Sequence, residues 1–158
     1  PLTAALADLD SGVRQAAAHA LGLVGDRNAI PGLQTRRDDP DLPVRLEVLD
    51  ALVALGEPLD LPRTIAIIRS KSGNEFQNAI WLVRRHAPEQ AVRTLVACLD
   101  FDDASIASYY NYTLVWQIGA CGGPKYAYHH DFERPGTPAE LAENRRILDA
   151  LRPGLSVP

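Results

Sequence analysis

The chain has 158 residues, 46% of them hydrophobic and 23% charged, which is ordinary globular composition and enough for one domain with a real core. Its formal net charge is -4 and its longest Lys/Arg runs are the pairs Arg36-Arg37, Arg84-Arg85 and Arg145-Arg146, so the electrostatic footprint of a nucleic-acid binder is missing. No apolar run approaches the roughly 20 residues of a membrane-spanning helix and no leader-like segment opens the chain, so a soluble protein without membrane contact is expected.

The first residue is Pro1, methionine is absent, and a helical pattern is under way at Leu2. The sequence therefore reads as part of something longer. From there the chain repeats itself. "LADLDSGVRQAAAHALGLVGD" (6–26) aligns with "RRDDPDLPVRLEVLDALVALGE" (36–57): Asp10 with Asp41, Val13-Arg14 with Val44-Arg45, Ala20-Leu21 with Ala51-Leu52 and Gly25 with Gly56, all 31 positions apart. A fixed period of this size marks a stacked repeat. Within each unit the second segment has apolar positions on one helical face: Val13, Ala16, Ala17, Ala20, Leu21 and Val24, then Val44, Val48, Ala51, Leu52 and Leu55, with Glu47 an exception. The template recurs with decay at Phe76, Ala79, Ile80, Val83 and Ala87, and again at Ile106, Tyr109, Tyr110, Thr113 and Leu114. Shorter apolar segments such as "AVRTLVACL" precede these helices, and Pro or Gly breaks separate the units.

The pattern "L-x-D-x-x-x-x-VR-x-x-A-x-x-AL-x-x-x-G", answered by "D-L-P-VR-x-x-V-x-x-AL-x-x-LG", resembles the short HEAT-like repeats named after the phycobilisome bilin lyases, most closely over residues 1–58 and more faintly over 59–119. The resemblance implies an all-α solenoid of about four helical hairpins (about 1–28, 29–58, 59–88 and 89–119), a shape used mostly to hold other proteins. It also implies that Asp10, Arg14, Asp41 and Arg45 are structural, the aspartates at helix starts and the arginines reaching neighbouring carboxylates. A capping loop and helix over 120–158 complete the same domain.

The helical reading separates Cys98 and Cys121 by about 15–20 Å at about 1.5 Å rise per residue, so two thiols are expected and a reducing, cytoplasmic compartment is favoured. His19 and His86 lack a second ligand one helical turn away and read as structural. Walker, GxSxG and HExxH motifs are absent, as is the His-Glu dipeptide of the HEAT-like iron hydroxylases; no cofactor and no catalysis are expected. "GGPKYAYHHDFERPG" (122–136) gathers the candidate metal ligands His129, His130, Asp131 and Glu133, with Cys121 the nearest thiol. Adjacent histidines point apart, so a packed loop anchored by Tyr126, Tyr128 and Phe132 is preferred to a metal centre. Thr137, Pro138 and Glu140 then form a capping box opening a helix over 138–152, with Leu141, Ile147, Leu148 and Leu151 on its docking side.

The second helices also carry apolar and aromatic residues away from the core face: Leu46, Leu49 and Val53; Trp81, Leu82 and Arg85; Asn111, Tyr112 and Val115. A helix apolar on both sides expects cover on both sides. The cover is either internal, from the 120–136 loop or last helix, or a partner protein or neighbouring domain of the parent chain. Trp116 lies on the flank. For a partner, Trp81, Arg85 and Tyr112 are the leading contacts, with Leu49, Val53 and Asn111 beside them. The expected function is a non-catalytic protein-interaction or scaffold module. Its alternatives are an accessory domain of a larger enzyme, a bilin lyase-like or chaperone-like role, and a small metalloenzyme built on the 126–133 loop.

Overall fold

The computed structural model describes residues 2–105, 108–131 and 133–155. Among them the chain is all-α, in successive hairpins α1 (Leu2–Ala5) with α2 (Ser11–Val24), α3 (Ile30–Gln34) with α4 (Leu42–Ala54), α5 (Leu61–Arg69) with α6 (Glu75–His86) and α7 (Ala91–Cys98) with α8 (Tyr109–Ala120), followed by α9 (Pro138–Leu151). Two compact units form, Pro1–Ala87 and Pro88–Pro158.

The first unit holds three hairpins. Its second helices pack in order, α2 on α4 and α4 on α6, as a short HEAT-like stack. The helices start and stop where local chemistry dictates. Asp10 caps α2 by accepting from the Gly12 and Val13 amides, at 2.7 and 3.2 Å. At the far ends, Gly25 (φ 75) and Gly56 (φ 92) adopt the left-handed conformation that only glycine enters without strain. Gly22 matters for space instead. A Cβ there would sit 3.0 Å from the Ala51 Cα, so its missing side chain lets α2 and α4 approach backbone to backbone.

Arg14 and Asp39 form the polar centre of this unit. Arg14 sends Nε and Nη2 to the two oxygens of buried Asp39, both at 2.9 Å, and Nη2 also to Asp41 at 2.6 Å. Its Nη1 donates to the Asp8 and Leu9 carbonyls. Arg45, one repeat later, donates to the Asp39 and Pro40 carbonyls, the corresponding positions. Asp41 departs from its counterpart: its carboxylate bonds Arg14 and makes no cap bond to α4.

The buried face of α2 is rotated from the expected one. Ala17, Ala18 and Leu21 are buried, whereas Val13 and Val24 are exposed at 41% and 63%, because α1 is a single turn and covers little of that side. By contrast α4 packs on α2, α3, α5 and α6, and its buried arc is correspondingly wide.

In the second unit buried asparagines take over as fasteners. Asn111, on α8, accepts from the Asp100 amide and donates to the Asp100 and Asp103 carbonyls. Asn144, on α9, accepts from the His129 amide at 2.8 Å and donates to the carbonyls of His129 and Ala104, at 2.9 and 3.3 Å. Arg145 adds hydrogen bonds to the Phe101 and Asp102 carbonyls, and Arg152 lies 4.9 Å over the Phe101 ring. The capping box forms as expected, with Thr137 and Glu140 satisfying each other's amides. On α9, Ile147, Leu148 and Leu151 are buried, but Leu141, expected on the docking side, is 38% exposed.

Candidate functional site

α6 carries an exposed tryptophan beside an arginine. Trp81 is 48% exposed, and the Arg85 guanidinium lies 4.7 Å from its ring centroid. One turn on α6 brings Arg85 over Trp81, and the charge-bearing last turn, Arg84-Arg85-His86, suits the negative end of the helix dipole. His86 meets Trp81 edge-on at 6.3 Å and reaches back to Asp50 of α4, Nε2 to Oδ1, at 3.2 Å. A similar tie, His19 Nδ1 to Glu47 Oε1 at 2.7 Å, joins α2 to α4. Both histidines thus have carboxylate partners on a neighbouring helix. The arrangement places an exposed indole and a guanidinium over its ring on one side of α6.

Burial removes several members of the expected outward stripe. Leu49 is 1% exposed and Leu82 is 2%, because α4 and α6 are packed on more than one side. Val53 is half-buried. In the second unit Asn111 is fully buried and engaged with the loop at 100–103, and Val115 is buried too. Tyr112 is half-covered, its ring stacked on His130 at 4.5 Å and 19°. The internal cover is therefore real at Tyr112, supplied by the loop, whereas Trp81 and Arg85 stay at the surface.

The loop itself packs through its backbone and aromatics. Tyr128 is buried and donates to the Asp103 carbonyl at 3.2 Å; burial pushes its phenol up to about 12. Tyr126 is half-buried, and Phe132, the third expected anchor, lies outside the described residues, as does Ile106. His129 is tied to Asn144 through its backbone, and His130 packs on Tyr109 and Tyr112. Asp131 pairs with Arg134 at 3.1 Å and accepts from the Glu133 amide, while Glu133 is exposed. Cys121 caps the end of α8, and it and buried Cys98 are both thiols. Among the described residues these side chains are not gathered into a group of three able to hold a metal.

Two concavities went unnoticed in the sequence. In the second unit Trp116, 59% exposed, lines a shallow groove with Val115, Gly119, Ala120, Lys125 and Tyr126. In the first, Arg37, Asp38, Arg45 and Arg63 surround a cleft floored by Leu42, Ala66 and Ile67. Only the Arg36-Arg37 pair hinted at the second, because its other members come from different helices.

A family model described as HEAT repeats matches residues 1–81 of the 158. No curated protein and no solved structure matches the chain. Among the described residues no helix is long and apolar enough to cross a membrane.

Proposed function

Because this chain belongs to the HEAT-repeat family, whose repeats generally mediate protein–protein interaction or scaffolding, we propose that it is a non-catalytic interaction module. It holds another protein, or a neighbouring domain of its parent chain, through the Trp81–Arg85 surface of α6. The observation that carries this is an indole 48% exposed with a guanidinium 4.7 Å over its ring, on a helix whose opposite side is core. Tryptophan and arginine dominate binding hot spots because each combines a large apolar face with polar edges. Here the cation–π contact also orders Arg85 before a partner arrives, which lowers the entropy lost on binding.

The test is to identify what immobilised wild-type protein retains, then measure that partner's affinity for Trp81→Ala and Arg85→Ala. Trp81→Ala should weaken it by about thirtyfold, the scale of a hot-spot residue. Thermal stability should change little, since an exposed substitution shifts it by about 0.5 kcal/mol or less. Unchanged affinity in both variants would remove the reading; a large loss of stability would instead make Trp81 part of the core.

A further inference from the structure

The cleft in the first unit has a volume of about 240 Å³ and is walled by arginines whose donors are unequally used. Arg63 is committed: Nε and Nη2 fork onto Asp38 at 2.9 and 2.8 Å, and Nη1 bonds Asp60 at 2.8 Å. Arg45 gives only Nη1, to two backbone carbonyls. Arg37 makes a long ion pair with Asp60, Nη1 to Oδ2 at 4.0 Å, and its Nε is buried without a hydrogen bond. Both guanidiniums line one cavity and keep donors without hydrogen bonds. Such donors favour an oxyanion, which guanidinium binds through paired, charge-assisted hydrogen bonds.

The rest of the lining narrows the choice. Asp38 stands at the same cleft and would repel a phosphate dianion more than a single carboxylate. Leu42, Ala66 and Ile67 provide an apolar floor along which methylenes can lie. We propose that this cleft binds an acidic side chain, glutamate or aspartate, of a protein partner, with its carboxylate at Arg37 and Arg45 and its stem over Leu42, Ala66 and Ile67. The inference rests on the interaction-module reading and names the chemistry of the partner; the cleft is separate in residues from Trp81 and Arg85.

The experiment is a two-dimensional NMR titration of the full chain with a blocked peptide of alternating glutamate and alanine, and in parallel with inorganic phosphate. Expected are saturable shifts at the Arg37 and Arg45 side-chain N–H groups and the Leu42 and Ile67 amides. Arg37→Gln and Arg45→Gln should each weaken the peptide by about tenfold, the scale of a lost charge-assisted hydrogen bond. Arg37→Gln breaks no hydrogen bond of the fold and removes only the 4.0 Å ion pair with Asp60, so it still decides the matter if Arg45→Gln unfolds. Saturation by phosphate with no response to the peptide overturns the carboxylate assignment, and so does the absence of saturable shifts with either. Trp81→Ala should titrate like wild type. A null titration beside a Trp81-dependent partner sinks this inference alone, whereas normal titration with Trp81-independent capture sinks the α6 surface alone.

Discussion

Asp39 is surrounded in a way that makes its charge part of the fold. Burial pushes its pKa up, but the hydrogen bonds from Arg14 and the Asp41 amide, with the Arg14 charge, outweigh that and leave it below its ordinary value. A depressed carboxylate contributes stability that is present above its unfolded pKa of about 3.9 and is lost as pH falls through the folded value. Melting temperature should therefore hold steady from neutral pH to about 5 and fall below about 4. Asp39→Asn should reduce that acid loss and cost about 3 kcal/mol at neutral pH, since it leaves Arg14 buried with a weaker partner. An acid profile identical to wild type would show that the charge at Asp39 is dispensable. Asn144 has a comparable place in the second unit. Asn144→Ala removes three hydrogen bonds to backbone groups and should cost about 2–3 kcal/mol. Hydrogen exchange at the His129 amide should accelerate with it; unchanged protection there would mean that the loop is held by Tyr128 instead.

At the scale of the element, the closest fit is between α2 and α4. Replacing Gly22 by alanine gains about 1 kcal/mol of helix propensity. The new Cβ, however, meets Ala51 backbone at 3.0 Å, and overpacking of this kind costs about 1–3 kcal/mol. The expected outcome is a lower melting temperature for Gly22→Ala; a rise would show that α2 and α4 can separate without loss. Periodicity shows that a helix has two apolar sides, but not which neighbour covers each. That ambiguity left open whether Leu49 and Leu82 meet a partner or the protein itself, and both are buried within the fold. Local signals fared better: the Asp10 cap and the Thr137–Glu140 box depend on a few adjacent residues and were legible without tertiary information. Asn111 and Asn144 were not, because their partners are loop carbonyls with no side-chain signature.

Taken whole, the chain is two compact units with different means of fastening: arginine–aspartate pairs in Pro1–Ala87 and buried asparagines in Pro88–Pro158. The family match covers only the first, where the 31-residue period is clean. Period and core apolar spacing revealed the helical hairpins, while the arginine cleft, assembled from α4, α5 and the turn before α4, had no linear motif to find.

The paired arginines also set a rule for how this sequence can change in length. Arg14 reaches the carbonyls six and five residues before it, and Arg45 does the same. Each guanidinium measures a fixed stretch of chain, from Asp8 to Arg14 and from Asp39 to Arg45. An inserted or deleted residue inside either stretch slides the carbonyls away from their donor and shifts the start of the following helix. The same change at the exposed turn residue Thr35, ahead of that stretch, leaves the gauge intact. Natural or engineered length variation should therefore collect in the turns before Asp8 and Asp39 and be excluded from the segments these two side chains span.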